Sequence, residues 1–215
     1  MLRRIGLLAA AMLLSACAPP PAAGSAPYAS QDAPPVDAAF HARIAAEVSA
    51  ARSDPRGYAR KLRTLRGWFQ GDRIEQPGEV PIVTREGVAA VDEAIAFLEA
   101  QPALPALARS QPLDRAAAGH AADQARSGRT GHGGENGLSP HERMARFGRW
   151  AATAEAIAYG PDTAEEMVVQ LIVDDGVADR GHRRILFSPA YTLIGVGCGP
   201  HPEWRRMCVL DFARP

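Results

Sequence analysis

Apolar residues recur at helical spacing in three stretches of the first half of the chain. Within each stretch they stand three or four positions apart, which predicts an amphipathic helix with one buried face. The three apolar stripes are Phe40, Ile44 and Val48; Tyr58, Leu62 and Leu65; and Val88, Val91, Ile95 and Leu98. Asp37, and Asp54 followed by Pro55, mark where the first two helices begin, because Asp is a favoured N-cap and Pro suits the first helical turn.

A fourth helix is predicted mainly from its end signals. Ser110 and Pro112 open it, and it should end near Gly128. His120 lies inside this helix among alanines. We favour a buried structural role for this histidine over a role in a functional site.

Two further helices begin with capping boxes. In the pairs Ser139 with Glu142 and Thr163 with Glu166, a hydroxyl and a carboxylate satisfy exposed backbone donors reciprocally. Both glutamates are therefore interpreted as helix caps and not as catalytic acids. The second of these helices ends in an Asp-Asp-Gly sequence at 174–176, where an acid opposes the helix dipole and needs a compensating partner.

The C-terminal residues are predicted to form a β-hairpin. Two apolar runs, 193–198 and 207–212, flank a segment that contains Gly and Pro, so Cys198 and Cys208 should lie on facing strands. In an oxidising compartment such a pair forms a structural disulfide, which is the interpretation favoured here. Zinc ligation by both cysteines and His201 is the alternative, although structural zinc sites use four ligands.

The N-terminal residues have the features of a bacterial lipoprotein signal. Arg3 and Arg4 precede an apolar run at 5–14 that is too short to span a bilayer. The run ends in Leu-Ser-Ala-Cys, which resembles a lipobox, so we expect residues 1–16 to be removed and Cys17 to be lipidated. Ordinary signal cleavage, which would leave a free thiol at Cys17, is the alternative.

Residues 17–35 are rich in Pro, Ala, Ser and Gly and are predicted to form a tether. Acyl chains on Cys17 would hold the protein to the membrane through this tether. Ala18 follows the cysteine where Asp would indicate inner-membrane retention, which favours the periplasmic face of the outer membrane. The protein is therefore expected to be exported and lipid-anchored.

The charge balance argues against one large class of function. The chain has 24 Lys and Arg residues against 24 Asp and Glu residues, which gives a formal net charge of zero. Nucleic-acid binding requires a basic surface, so no DNA or RNA partner is expected. The residues beyond the tether are enough for one domain with a sizeable core.

Two histidines preceded by glycine are the strongest candidates for chemistry. His132 lies in Gly-His-Gly-Gly and His182 in Gly-His-Arg-Arg, and the acids Glu155, Asp174 and Asp175 stand between them in the sequence. Histidine and carboxylate side chains bind metals or move protons near neutral pH. We therefore expect a functional site if folding brings these residues together.

The order of these motifs resembles the CAP superfamily of cysteine-rich secretory, antigen 5 and pathogenesis-related 1 proteins, whose domain is also named SCP. The motifs that carry the resemblance are Ser-Gly-Arg-Thr-Gly-His at 127–132, Ala-Glu-Ala-Ile-Ala-Tyr-Gly at 154–160, Asp-Asp-Gly-Val at 174–177, Arg-Gly-His-Arg at 180–183 and Ile-Gly-Val-Gly at 194–197. The resemblance implies an α+β fold, an α-β-α sandwich, formed here by residues 105–215. Residues 36–104 would then be a helical N-terminal extension found in a bacterial branch of the family.

The resemblance also implies a central cleft lined by two histidines and two acids. His132 and His182 match the two histidines, and Glu155 matches the first acid. The second acid falls on Asp174, with Asp175 as the alternative. Either aspartate is one methylene shorter than the glutamate usual at this position, so the activity of a relative does not transfer directly.

Three functions are compatible with such a cleft. The favoured one is binding of a small ligand, a lipid or a peptidoglycan fragment, or of a protein partner. The second is zinc-dependent hydrolysis, in which His132 and His182 would bind the zinc and Glu155 would be the third protein ligand or a general base. The third is a purely structural role in the cell envelope. Serine hydrolysis is not expected, because Ser127 and Ser188 precede Gly and Pro and no nucleophile elbow is present.

Overall fold

The computed structural model describes residues 35–215. The predicted signal peptide (1–16), the predicted lipidation site Cys17 and the tether up to residue 34 lie outside the described residues, so they stay predictions. Within the described part, none of the helices is long and apolar enough to cross a membrane.

Seven helices form in the described residues, and their ends follow the sequence signals. They are α1 (Ala38–Ser53), α2 (Pro55–Arg66), α3 (Val88–Ala100), α4 (Gln111–Ser127), α5 (Pro140–Ala145), α6 (Ala164–Val173) and α7 (Gly181–Leu186). Asp37 accepts a hydrogen bond from the Phe40 N–H, and Asp54 accepts one from the Gly57 N–H. Both capping boxes are complete, and α4 ends at Gly128, which has a φ of +67°. The predicted helix ends are therefore confirmed.

The described strands form a main sheet of four strands and a small sheet of three. They are β1 (Phe69–Gln70), β2 (Arg73–Ile74), β3 (Ile82–Val83), β4 (Ala108–Arg109), β5 (Ala152–Tyr159), β6 (Leu193–His201) and β7 (Arg205–Arg214). The strand order is β4-β6-β7-β5 in the main sheet and β1-β2-β3 in the small antiparallel sheet. In the main sheet β4 pairs with β6 in parallel, whereas β6 with β7 and β7 with β5 are antiparallel.

Strands β6 and β7 are the predicted C-terminal hairpin, and both extend beyond the apolar runs that indicated them. Cys198 and Cys208 lie directly opposite each other in this pair and form a disulfide bond. The predicted disulfide is confirmed, and it rules out zinc ligation by the two thiols with His201. His201 instead accepts hydrogen bonds from the backbone N–H groups of Glu203 and Trp204 at the hairpin turn.

Helices cover both faces of the main sheet, which gives the α-β-α sandwich implied by the resemblance. Successive strand residues point to opposite faces. On one face, Leu210 and Phe212 pack with residues of α1, α2, α3, α6 and α7 in the largest core cluster. On the other face, Ile157 and Val209 pack against Ala117 of α4.

The first three helices contribute to the same core as the sheet. Phe40 of α1, Leu62 of α2 and Leu98 of α3 are fully buried in the cluster that contains one face of the main sheet. The boundary predicted between residues 104 and 105 therefore divides residues that pack together. The division into an N-terminal extension and a CAP domain at this boundary stays a prediction.

Helix α4 lies very close to strand β6. A Cβ atom on Gly195 would come within 2.3 Å of the backbone carbonyl carbon of Leu113, and one on Gly197 within 2.2 Å of the Ala118 nitrogen. No side chain fits in this space, so glycine is required at both positions. The close approach sets how far α4, and the loop that follows it, stand above the sheet.

Candidate functional site

The structure brings together four residues selected from the sequence, His132, Glu155, Asp174 and His182, which we call the cleft tetrad. The two imidazole rings face each other with centroids 6.3 Å apart and planes inclined by 40°. Each ring contacts one carboxylate through its Nδ1 atom, at 2.8 Å for His132 with Glu155 and 2.6 Å for His182 with Asp174. The tetrad is therefore two imidazole–carboxylate pairs whose rings approach each other.

Glu155 lies on β5 and is buried against the layer that contains α4 and α5. Its side chain is 1% exposed, and its Oε2 atom accepts a hydrogen bond of 2.5 Å from the guanidinium of Arg143 in α5. Arg143 also donates to the carbonyl oxygens of His132 and Leu138, both at 2.8 Å. One buried arginine thus fixes both members of the first pair.

The surroundings of Glu155 keep its carboxyl ionised. Burial by itself would raise the pKa, but the hydrogen bond from His132 and the charge and hydrogen bond of Arg143 outweigh burial, so the pKa lies below its usual value. An ionised carboxylate only accepts hydrogen bonds, so the Nδ1 atom of His132 carries a proton. When the ring is neutral, its Nε2 atom therefore has the free lone pair.

A ring of hydrogen bonds around Gly131 holds the loop that carries His132. The Gly131 N–H donates to the Tyr159 hydroxyl at 2.8 Å, this hydroxyl donates to the Gln124 side-chain oxygen at 2.7 Å, and the Gln124 amide donates to the Gly131 carbonyl at 2.6 Å. His120 lies beside this ring, with Nε2 3.0 Å from the Gly131 carbonyl oxygen. Burial lowers the pKa of His120, so it supports the loop as a neutral residue.

Asp174 is the C-cap residue of α6 and has a left-handed backbone, with φ +57° and ψ +41°. Aspartate adopts this conformation more readily than most residues, and here it turns the chain so that the carboxylate meets the start of α7. Its Oδ2 atom accepts a hydrogen bond from the His182 N–H at 2.9 Å, while Oδ1 contacts the His182 ring. Asp174 therefore fixes both the backbone and the ring of His182.

Two arginines offset the unfavourable position of an acid at the end of α6. Arg183 donates to the carbonyl oxygens of Ile172 at 2.5 Å and Val173 at 3.0 Å, and Arg180 donates to that of Asp174 at 2.9 Å. These donors satisfy the last carbonyls of the helix and bring positive charge to the negative end of its dipole. Arg180 and Arg183 are therefore the partners that the sequence analysis expected to offset an acid at the end of this helix.

Asp175, the alternative second acid, contacts a different part of the molecule. Its two oxygens accept hydrogen bonds from the backbone N–H groups of Arg85 and Glu86, at 2.7 and 2.8 Å. Glu86 pairs with Arg180, and this hydrogen bond holds the pKa of Glu86 at about 2. Asp175 thus connects the segment before α3 to the turn after α6, and Asp174 is the acid that contacts His182.

The side chains of the tetrad do not form the catalytic zinc site that was considered in the sequence analysis. Such a site needs three protein ligands, but both oxygens of Glu155 are already engaged by His132 and Arg143. Across residues 35–215, no group of three or more His, Cys, Asp or Glu side chains is arranged to hold a metal ion. We therefore assign no chemical step to a metal.

Sequence reasoning missed two residues that act on Glu155, namely Arg143 and Asp211. Arg143 lies in a helix of six residues, and only the need of a buried carboxylate for a cationic partner could have indicated it. Asp211 had a visible signal, because it is an acid within the apolar run 207–212. It lies directly opposite Glu155 in the pairing of β5 with β7.

Three solved bacterial structures are similar to this chain. They are an extracellular protein containing an SCP domain from Bacillus anthracis, an outer surface protein from Borrelia burgdorferi and a cysteine-rich secretory protein from Staphylococcus aureus. Their sequence identities are 20%, 16% and 12%, and their TM-scores are 0.43, 0.45 and 0.41. The matches cover 60%, 67% and 65% of this chain and 38%, 98% and 44% of the respective structures. The chain thus spans less than half of the Bacillus and Staphylococcus proteins.

No curated protein matches the sequence. The model of the cysteine-rich secretory protein family, CAP, matches residues 64–212, which is more than half of the chain. The matched residues include the whole cleft tetrad and both cysteines of the disulfide. The chain therefore belongs to the cysteine-rich secretory protein (CAP) family.

Proposed function

We propose that this protein is an envelope-facing CAP-domain lipoprotein that binds a polar ligand, a fragment of the cell wall, between His132 and His182. The observation that carries the proposal is the pair of carboxylate-bound imidazoles with ring centroids 6.3 Å apart. In both rings Nδ1 is engaged by an acid, which leaves Nε2 for a ligand.

The exposure of the two rings supports binding from solution. The side chain of His132 is 50% exposed and that of His182 is 23% exposed, whereas their acids are almost fully buried. A neutral ring offers Nε2 as an acceptor and a protonated ring offers it as a donor. Hydroxyl and amide groups of a sugar or short peptide match both states. An acyl chain gains nothing from them, so we prefer a cell-wall fragment to a lipid.

The site is held in place before any ligand arrives. His132 is fixed by Glu155 and Arg143, and His182 is fixed by Asp174 through both its ring and its backbone. Preorganised groups reduce the entropy cost of binding. A purely structural role would also use the two imidazole–carboxylate pairs. It would not explain why the imidazole rings are exposed to solvent.

Hydrolysis is less well supported than binding. The zinc ligand set is incomplete, because Glu155 is engaged on both oxygens. The hydroxyl of Ser127 donates to the Asp123 carbonyl, and that of Ser188 accepts from the Ala190 N–H, so both serines serve local turns. This leaves the cleft without an activated nucleophile among the serines considered from the sequence.

Ligand titration of the mature protein tests the binding proposal. Soluble muropeptides are the probe, with calorimetry and native mass spectrometry as the measurements. His132→Ala and His182→Ala should each weaken binding about tenfold, because one hydrogen bond to the ligand contributes about 1.4 kcal/mol. His141→Ala is the matched control, since His141 is an exposed histidine of α5 outside the tetrad.

Two outcomes would contradict the proposal. One is that the wild-type protein binds no muropeptide, and the other is that both tetrad variants bind as tightly as the control. Phospholipid vesicles in the same assay test the lipid alternative. Binding to vesicles that is lost in the tetrad variants would replace the cell-wall ligand with a lipid.

The membrane anchor is tested separately, because it rests on the N-terminal sequence alone. Cys17→Ser removes the atom to which acyl chains would attach. Cells labelled with radioactive palmitate should yield a labelled wild-type protein in the outer-membrane fraction and an unlabelled, soluble variant. An unlabelled wild-type protein would contradict the anchor and leave the cleft proposal unaffected.

A further inference from the structure

Asp211 is a second acid beneath the cleft. It lies on β7, directly opposite Glu155 on β5 and Gly195 on β6, and it is almost completely buried. Residues directly opposite on neighbouring strands point to the same face, so the two carboxyl groups lie side by side. The Glu155 carboxylate is close enough to raise the pKa of Asp211, both through its charge and as a hydrogen-bond partner. Within the described part of the chain, the Oδ1 atom of Asp211 has no hydrogen-bond partner.

The charges around the two acids favour a single negative charge between them. Arg143 faces them from α5 and donates to Glu155. His120 faces Glu155 from α4, but burial lowers its pKa and keeps it neutral. Strand β6 contributes Gly195, which carries no side chain. Two buried carboxylates beside one permanent cation repel each other, so one of the two carboxyl groups keeps its proton.

The proton belongs on Asp211 because Glu155 has the better donors. His132 and Arg143 both stabilise the ionised form of Glu155. For Asp211, burial and then the nearby charge of Glu155 raise the pKa well above its usual value, although Arg143 opposes this. A protonated carboxyl group has one O–H donor and one neutral oxygen, and a neutral oxygen costs less to leave unpaired than an ionised one.

We infer that Asp211 is a positioning residue of the cleft: as a neutral acid it donates a hydrogen bond to Glu155, the carboxylate that orients His132. Glu155 then receives donors from the loop of His132, from α5 and from β7. Three donors from three elements fix the direction of the carboxylate. The donor from Asp211 also withdraws negative charge from His132, which weakens the hold of Glu155 on an imidazolium proton. The role of Asp211 in binding rests on the proposed function, whereas its protonation does not.

The protonation of Asp211 can be measured on the wild-type mature protein. With ¹³C at the aspartate Cγ atoms, the Asp211 resonance should keep the shift of a neutral acid at pH 7, while exposed aspartates titrate near pH 4. The infrared spectrum should show the carbonyl band of a neutral carboxylic acid, and Asp211→Asn should remove it. An Asp211 resonance that titrates together with the exposed aspartates would overturn the inference.

The action of Asp211 through Glu155 is tested by the ring titration of His132, followed by NMR. Asp211→Asn keeps a neutral donor of the same shape, so His132 should titrate as in the wild type. Asp211→Ala removes the donor and should raise the midpoint, because Glu155 then directs more negative charge toward the ring. A lower midpoint in Asp211→Asn would mean that the wild-type residue is an anion. Equal midpoints in all three proteins would mean that Asp211 does not act through Glu155. Either result overturns the inference.

Muropeptide titration then separates this inference from the proposed function. If the cleft binds as proposed, Asp211→Ala should weaken binding several-fold and Asp211→Asn should restore it. If the wild type binds no muropeptide and the His132 midpoints still shift as expected, the proposed ligand is wrong and the positioning role stands. If muropeptides bind but Asp211 is ionised, the positioning role is wrong and the binding function stands.

Discussion

The two imidazole–carboxylate pairs of the cleft make the same contact but are built from different parts of the protein. Glu155 lies on a strand and depends on side chains, namely those of His132 and Arg143. Asp174 lies at the end of a helix and depends on the backbone, whose N–H at His182 donates to it at 2.9 Å. Glu155 is stabilised by neighbouring charged and polar side chains, and Asp174 by a backbone N–H group.

This difference determines which changes each pair tolerates. A backbone donor is not removed by a substitution nearby, so the pair of His182 and Asp174 depends mainly on residue 174 itself. The side-chain donors around Glu155 can each be deleted, and deletion of Arg143 leaves the buried carboxylate without its cation. We therefore expect the half of the cleft around Glu155 to be the more fragile and the more easily tuned.

The largest effect is expected from Arg143→Met, which should destabilise the protein by about 3–5 kcal/mol. The substitution leaves the buried Glu155 without its cation and removes the donor to two loop carbonyls. Unfolding in urea measures the loss. The His132 loop should also exchange its amide hydrogens faster in this variant.

Arg184→Met is the matched control for that experiment. Arg184 pairs with Asp179 on the surface, where both side chains are mostly exposed. An exposed ion pair contributes little, so the free energy of unfolding should change by less than about 1 kcal/mol. Similar losses in the two variants would contradict the view that Glu155 depends on a buried cation.

The next largest effect concerns the other half of the cleft. Asp174→Ala should cost about 2–4 kcal/mol, because it removes the acceptor of His182 and places alanine at a φ of +57°. Asp174→Asn should cost about half as much, since asparagine tolerates this backbone and keeps one oxygen acceptor. Urea unfolding compares the two variants. Equal losses in the two variants would show that charge, which both substitutions remove, stabilises this pair, and not the backbone geometry or the remaining oxygen acceptor.

The third test uses Asp211, the second acid beside Glu155. Because burial raises the pKa of Asp211, the folded protein keeps a proton that the unfolded chain releases above about pH 3.9. The stability of the wild type relative to Asp211→Asn should therefore fall by about 1.4 kcal/mol per pH unit as the pH rises from about 4 toward the folded pKa. Urea unfolding at several pH values measures this difference. Parallel profiles would refute it.

The smallest effects on stability are expected from removal of the imidazoles. His132→Ala should cost about 1 kcal/mol or less, because the ring is half exposed and Arg143 still pairs with Glu155. His182→Ala should cost slightly more, about 1–2 kcal/mol, because this ring is more buried and its loss leaves an oxygen of Asp174 unpaired. Thermal unfolding measures both. Losses of several kcal/mol without any change in binding would favour the purely structural role.

The features that could be predicted from the sequence depend on residues close together in the chain. The helix starts at Asp37 and Asp54 and the two capping boxes are signals within four residues, and they formed as predicted. The disulfide followed from two strands joined by a short turn. The family resemblance named the tetrad, and the choice between Asp174 and Asp175 needed the backbone, because one residue in a left-handed conformation decides which acid meets the histidine.

The features that could not be predicted depend on residues far apart in the chain. Strand β5 contains four alanines, which favour strands weakly, and it is stable because β7 pairs with its whole length. The partners of Glu155 come from a short helix and from another strand, so no local pattern connects Arg143 or Asp211 with it. Asp211 stood out as an acid in an apolar run, but its function as a donor depends on the register of two strands.

Gly195 and Gly197 affect the tetrad although neither residue belongs to it. These positions line the underside of α4, and neither contributes a side chain to the tetrad. An added methyl group would nevertheless act as a spacer between helix and sheet, because the backbone atoms already occupy its place. The helix would shift outward with the His132 loop at its end, while Glu155 would remain on the sheet. The position of His132 relative to Glu155 thus depends on two residues that contribute no side chain to the tetrad.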